Sequence, residues 1–546
     1  TVEATIPVEV AVGLSISKNT KADWSVGAIE MYLEKHLKME RWSLWKTTKP
    51  IVPTIARLAY QALDEDPNFF TQMPRLTTVP LSQFKYTPIN EAYRPLAEEL
   101  KPSMRSLVPP GKFPLVDGAV APSRGRASDQ AAITGRIANV KNDVMPDRRI
   151  HQWSEEFVRL LVPDRLTGTG RPYSTDELDK RMPRATQRAI TKKAMDMLDC
   201  DAEMLKAFMK AESYGSITDP RNITTLPASL KSRYSLYFYA FSDQIIKHQP
   251  WYAFSKTPEE LELALGRLIC GAVNVVSTDF SKFDGTISKF LRTFEQRILR
   301  RWVHRDLRED LLALHAKQWS MKGKTRHGVV YDPGFSRLSG SPETSGFNTI
   351  VNAFVAFCAF RESGYDVTEA FDRLGLYGGD DGLTTDINPQ IYSRVAASLG
   401  LSLKCDEHKA PDVIPFLGRR WHGAWVGAAR STCDYPRQLG KLHMTHSLLA
   451  KHKDVLIAKA LGFKASDRDT PLLDEWASKV LSLAYPDIEW PEDEVPIETL
   501  QDDLREHVNW FVRFGGVFKQ PTHDAAIKDA ITTLNVDFDT IEKLRK

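Results

Sequence analysis

Tyr377-Gly378-Gly379-Asp380-Asp381-Gly382 sets two adjacent carboxylates in a glycine-rich turn between short apolar runs. Upstream, Asp279-Phe280-Ser281-Lys282-Phe283-Asp284 carries a second spaced pair of acids. Between the two lies Ser339-Gly340-Ser341-Pro342-Glu343-Thr344-Ser345-Gly346-Phe347-Asn348, small and polar throughout. Residues 374–386 read as strand, tight turn, strand, with Gly378 and Gly379 able to take positive φ. Residues 272–278 are β-rich and short, which predicts a buried strand delivering Asp279 at its C-terminal end. Helices are expected over about 287–303 and 344–361, the second capped by Thr344 and stopped by Gly364. Strand, helix, helix, hairpin is an α+β pattern.

If the two acidic strands are neighbours, Asp279 and Asp380 converge, with Asp381 a further and less central ligand. Converging carboxylates on rigid strands suit Mg²⁺, a hard cation that prefers oxygen ligands and keeps room for phosphates and water. Two such ions about 3.5–4 Å apart can stabilise both the attacking and the leaving oxygen of a phosphoryl displacement. A lone Gly-Asp-Asp turn is ordinarily just solvated. Three elements in this order mean more than any one of them.

The ordered set resembles motifs A, B and C of the RNA-dependent RNA polymerase of a positive-strand RNA virus. The similarity runs from about residue 205 to 421. The wording Ser281-Lys282-Phe283-Asp284-Gly285-Thr286-Ile287-Ser288, with Ser341-Pro342-Glu343-Thr344-Ser345-Gly346-Phe347-Asn348-Thr349, looks most like nodavirus replicases, with tombusvirus-like enzymes next. The resemblance implies an α+β right-hand fold: fingers, a palm of antiparallel sheet plus helices, and a mainly helical thumb. It implies RNA synthesis on an RNA template from ribonucleoside triphosphates. Asp279, Asp380 and Asp381 would be catalytic and hold Mg²⁺, with Mn²⁺ as a substitute.

In motif B, Ser339, Gly340, Thr344 and Asn348, together with Asp284, would read the ribose; the 2′-hydroxyl both donates and accepts, so a polar cluster can recognise it. Phe208-Met209-Lys210-Ala211-Glu212 and Asp219-Pro220-Arg221-Asn222-Ile223 resemble motif F, where Lys210 and Arg221 would contact the triphosphate. Residues 399–409 resemble motif D, whose lysine protonates departing pyrophosphate; Lys409 is the expected donor and Lys404 the alternative. Phe416-Leu417-Gly418-Arg419-Arg420-Trp421 resembles motif E, and Thr167-Gly168-Thr169-Gly170-Arg171-Pro172 a template-guiding motif G loop. Two rival readings stay open: a non-catalytic RNA-binding scaffold and a reverse transcriptase. Asp284, where a bulky sugar-blocking side chain would be expected, argues against the second.

Length and composition set the frame. At 546 residues the chain exceeds one ordinary core and should hold two or three subdomains. With 42% hydrophobic and 26% charged residues it is neither a disordered nor a fibrous chain. A net charge of +3 leaves room for a basic channel beside an acidic metal site. The expected division is residues 1–150 as an extension bridging fingers and thumb, 151–270 as fingers with motif F at 208–223, 271–425 as palm with interleaved fingers, and 426–546 as thumb. Residues 24–46 read as a surface helix, 174–200 as helical, and 101–129 as an extended strap. The five cysteines form no CxxC pair and read as reduced thiols. Cys405, His408, Cys433, His443 and His446 have zinc-type donors but no zinc-type spacing. No spanning helix and no secretory signal is expected. The chain starts at Thr1 without methionine, consistent with a processed product and an upstream domain or anchor. By resemblance, the partners are RNA template and product strand, ribonucleoside triphosphates, a membrane-bound replication complex reached through upstream or partner domains, and a second copy of the chain. The expected location is host cytoplasm, at a membrane-associated replication complex.

Overall fold

The computed structural model describes residues 125–182, 188–189, 191, 204–210, 212, 219–440, 442, 452–485 and 518–545. The expectations for 24–46, for 101–124 and for most of 183–200 lie outside them. The helices that position the site are α1 (Arg126–Arg136), α2 (Arg148–Leu161), α3 (Ala228–Phe241), α4 (Lys289–Trp302), α5 (Arg308–Ser320), α6 (Thr344–Glu362) and α7 (Pro389–Ser398). The strands are β1 (Leu205–Met209), β2 (Asn222–Thr225), β3 (Val275–Phe280), β4 (Gly323–Thr325), β5 (Val330–Tyr331), β6 (Leu376–Gly378), β7 (Asp381–Thr385), β8 (Leu403–His408), β9 (Ile414–Phe416), β10 (Arg419–His422) and β11 (Arg430–Cys433).

The central sheet has the order β6-β7-β3-β8, antiparallel throughout. Strand β3 is shifted from its expected span: β8 pairs it out to Phe280, so Asp279 lies within the strand rather than past its end. On one side β7 stops at the Thr278–Gly382 pair, which leaves Asp279 at the frayed corner of the sheet beside the β6–β7 turn. A second sheet, β2-β1-β4-β5, carries the Lys210 and Arg221 segment, and a third, β11-β10-β9, follows the central one. The fold is a mixed α+β one with antiparallel sheets.

Helix α6 is the spine. Residues Gly346 to Phe360 are all buried, as a helix that is apolar around its whole circumference must be. Phe354 stacks on Phe294 of α4 with centroids 4.5 Å apart and meets Phe157 of α2 edge-on at 5.5 Å. Thr344 is not the cap; it is the first helical residue, and Glu343 precedes it. The Thr344 hydroxyl instead donates to the carbonyls of Leu338 and Ser341, because the loop before the helix folds back over it. Gly364 ends the region as expected, with φ +94°.

The strap expectation fails where it can be checked. Residues 126–136 are helix α1, which buries Ala127, Ala131, Ala132 and Ile133. Ser174 caps only a short helix, Thr175–Arg181, with Glu177 completing a capping box. Toward the C-terminus the described elements are helices, packed on Tyr435, Leu439, Leu473, Ile527 and Ile541. Among the described residues, no helix is long and apolar enough to cross a membrane.

Truncating the spine tests this picture. Phe354→Ala removes a fully buried ring and is expected to lower unfolding free energy by about 3–5 kcal/mol. Phe538→Ala, at a ring 56% exposed, should cost less than about 1 kcal/mol. Urea melts of both variants against the parent chain measure the difference.

Candidate active site

The β6–β7 hairpin closes through a two-residue turn, Gly379-Asp380, across the Gly378–Asp381 pair. Only Gly379 takes positive φ (+69°), at the first turn position where such hairpins want glycine. Gly378 is needed for space: a Cβ there would lie 2.8 Å from Leu417. The turn is gripped from behind by α6. The Gly379 N–H donates to the Thr349 hydroxyl at 2.8 Å, and the Asn352 amide donates to the carbonyls of Gly379, Asp380 and Asp381 at 3.1–3.2 Å. Thr349 and Asn352 were not anticipated, although buried polar residues in an apolar helix were a readable signal.

Asp279 and Asp380 both open into one cleft of about 790 Å³, whose lining also includes Lys210, Arg221, Asp284, Ser339, Thr344 and Asn348. Eight of the eleven anticipated residues thus share one cavity. Gly340 lies behind the wall, its N–H donating to the Thr224 carbonyl at 2.8 Å; a Cβ there would come within 2.9 Å of that oxygen. Asp381 follows the turn on β7 and is not among the lining residues.

Lys409 is the residue displaced most from expectation. In the β3–β8 register Asp279 faces Lys404, whereas His408 faces Val275 at the other end of the strand. Lys409 therefore sits roughly 16 Å along the strand from Lys404, beside Glu407. Lys404 is the lysine next to the acidic corner, its ammonium 2.6 Å from Asp406.

The acids crowd one another. Burial in the cleft wall raises the Asp279 carboxyl above the ordinary range, and the neighbouring Asp380 raises it further. Burial likewise raises Asp380, with Asp284 adding to the shift. Asp381 is pushed up to about 6 by burial and then by Asp380 and Asp279. Three carboxyls held back from ionisation by burial first and by neighbouring acids second are an all-oxygen donor set suited to a hard cation.

Opposite them, Asp284 is held in a polar triangle. The Asn348 amide donates to its Oδ1 at 2.7 Å, the Ser339 hydroxyl donates to Oδ2, and the Arg337 backbone N–H donates to its carbonyl. The cations lining the cleft are also fixed: the Lys210 backbone N–H donates to the Arg221 carbonyl, and the Lys210 ammonium lies 2.9 Å from Glu212. Their approach is set by Asp219. The Arg136 guanidinium of α1 donates to its carbonyl, and the Lys282 ammonium reaches its carboxylate at 2.5 Å. Gly135 makes room, since a Cβ there would overlap the Asp219 carboxyl.

The other anticipated motifs are spent on the fold. Arg419 pairs with Asp467 and lies over Phe518, and Arg420 grips Asp529, so these arginines fasten β10 to the C-terminal helices. The Gly168 and Gly170 N–H groups donate to the carbonyls of Arg301 and Trp302, tying that loop to the end of α4. Among the zinc-type donors, Cys405 accepts from Ser393, His408 meets Ser277 and Cys433 is buried on β11. His443 and His446 lie outside the described residues. Glu295, His315 and Glu343 bring ligand atoms within 4.8 Å of one another, but Arg292 and Arg337 already neutralise both carboxylates. A divalent ion there would meet two resident guanidinium charges, so this donor set does not fit one.

Comparison with known proteins agrees with the geometry. Residues 184–431 match the family described as viral RNA-dependent RNA polymerase. The chain is 37% identical over 371 residues to the RNA-directed RNA polymerase of Striped jack nervous necrosis virus, covering 66% of this chain and 37% of that protein. It is 32% identical over 373 residues to that of Pariacoto virus, covering 67% and 38%, and 28% identical over 373 residues to that of Flock house virus, covering 65% and 36%. The chain thus spans less than two fifths of the length of these relatives. Among solved structures, the RNA-dependent RNA polymerase of a human picorbirnavirus superposes with TM-score 0.50 at 15% identity, covering 75% of this chain and 83% of that one. An insertion-loop deletion mutant of the same polymerase gives 0.51 at 14% identity. Such polymerases generally use divalent metal ions.

The raised carboxyls predict a pH signature. Asp381 binds its proton more tightly folded than unfolded, so the cation-free fold loses stability as pH rises from about 4 through about 6. A divalent cation must displace those protons and relieves the same repulsion. Added Mn²⁺ should therefore raise the melting temperature by several degrees at pH 8 and by much less at pH 5.5. Asp279→Asn with Asp380→Asn should remove the response; an equal shift in that variant would place the cation elsewhere.

Proposed function

We propose, for a chain whose residues 184–431 belong to the viral RNA-dependent RNA polymerase family and most resemble nodavirus enzymes, that this cleft copies RNA from an RNA template. The observation that carries the reading is one cavity lined together by Asp279, Asp380, Asp284, Asn348, Lys210 and Arg221. Those are the three demands of nucleotidyl transfer: metal ligands, a sugar reader and phosphate cations.

Asp279 and Asp380, with Asp381 behind them, would hold Mg²⁺, and Mn²⁺ can stand in for it. When bound, the ions supply Lewis-acid stabilisation of the attacking and leaving oxygens. The chain's own residues supply the rest. Lys210 and Arg221 fix the triphosphate and neutralise charge that builds on it, Arg by paired N–H donors. Asp284, Asn348 and Ser339 present donors and acceptors to the ribose 2′-hydroxyl. The primer 3′-oxygen bonds to the α-phosphorus, the bond from that phosphorus to the bridging oxygen breaks, and the hydroxyl proton leaves to solvent. Pyrophosphate departs with a proton taken from the lysine beside the acidic corner, Lys404, in preference to the distant Lys409.

Extension of a labelled RNA primer on an RNA template by the purified chain tests the reading. Wild type should extend it with ribonucleotides and Mg²⁺, and Asp380→Ala or Asp279→Ala should lose at least about 10³-fold in rate. Equal incorporation by Asp380→Ala would refute the assignment, and RNA binding without incorporation by wild type would favour a scaffold. Lys404→Ala should slow turnover about 10²-fold with Lys409→Ala near wild type; the reverse order would restore Lys409.

A further inference from the structure

Asn348 can face Asp284 in two ways. Its amide oxygen and NH₂ group have nearly the same shape, yet one repels a carboxylate and the other binds it. The side chain itself does not choose. Arg337 does: fully buried, it donates from Nε to the Asn348 Oδ1 at 2.9 Å. A guanidinium carries donors only, so it accepts no face of Asn348 but the oxygen. The NH₂ group is thereby turned to the Asp284 Oδ1.

The same residue pins the other half of the pair, since the Arg337 backbone N–H donates to the Asp284 carbonyl at 2.7 Å. Its two remaining nitrogens are committed as well, Nη1 to Glu343 at 2.7 Å and Nη2 to Glu295. One planar fork is thus spent on three side chains, Glu295 of α4 and Glu343 and Asn348 at the start of α6, and the ring of Phe347 packs beneath it at 5.7 Å. Rotation of the guanidinium would break several bonds together, so the Asn348 oxygen stays where it is.

We propose that Arg337 is a positioning residue for sugar selection: it locks the Asn348 amide so that the donor pattern offered to the nucleotide 2′-hydroxyl is fixed before substrate arrives. This rests on the polymerase reading above. A site built to bind a hydroxyl rejects analogues that lack it, provided its polar groups are oriented beforehand. Arg337 contacts no substrate in this role and acts through Asn348 and Asp284.

Lysine at 337 keeps the positive charge against Glu295 and Glu343 but lacks the fork that reaches Asn348. The test is single-nucleotide extension with ATP and with 2′-deoxy-ATP, giving the ratio of kcat/KM for the two, alongside thermal melts. Wild type should favour ATP strongly. Arg337→Lys should melt within a few degrees of wild type yet lose roughly 10- to 100-fold of that ratio, mostly through poorer use of ATP. Because a buried charge change can prevent folding, Arg337→Met combined with Glu295→Met removes one ion pair together and keeps the cluster neutral. It should lose the ratio equally. A folded variant of either kind with the wild-type ratio overturns the proposal, and so does failure of both to fold, which would make Arg337 a core residue alone. A wild type with no preference between the nucleotides instead sinks the sugar-reading assignment of Asp284 and Asn348.

Discussion

Four ionised side chains with no access to water sit at the junction of α4, α5 and the loop entering α6. Arg292 and Glu295 come from α4, Arg337 from the loop, and Glu343 from the residue before α6. Two positive charges face two negative ones, and His315 of α5 and the Tyr234 hydroxyl of α3 complete the contacts. Burial alone would drive both carboxyls toward protonation; Arg337 and Arg292 hold Glu295 ionised, and His315 with the same arginines holds Glu343 ionised, both well below their ordinary range. Such a cluster adds little net stability compared with an apolar core, but breaking it by removing one member leaves a stranded charge. It therefore acts as a constraint on arrangement. The loop carrying Ser339 has one way to lie, and Asp284 and Asn348 inherit their positions from it.

Most of the catalytic layout was legible because it is encoded locally. Glycines at a turn, a short β-rich run in β3 and a mostly apolar helix each follow from backbone and burial rules that act over a few residues. The acids Asp279 and Asp380 were readable for the same reason, as polar residues stationed at element ends. What escaped was long-range. Lys282 and Asp219 meet across 63 positions and Arg337 reaches Glu295 across 42, and an isolated arginine in a loop carries no mark of having three acceptors waiting.

Strand register was the other hidden variable. Lys404 and Lys409 look equivalent along the chain, and only the pairing of β8 with β3 separates them. The 101–129 stretch misled for a related reason: its Pro, Gly, Ser and basic residues suggested an extended strap, whereas from Arg126 onward burial of three alanines and Ile133 makes a helix. Tertiary burial overrode weak local preference. The arginines of β10 are consumed as internal fasteners, a use that also depends on distant partners.

Asn348, Thr349 and Asn352 stand within little more than one turn of one stiff rod, and the first touches Asp284 while the others hold the turn bearing Asp380. The spacing between inspection and chemistry is consequently ruled by the rise of an α-helix, about 1.5 Å per residue, and not by any loop. Descendants of this sequence could retune the cleft between Asp284 and Asp380 by exchanging side chains along the rod. They could not do so by stretching the gap, because every added residue would rotate one of the three away from its target.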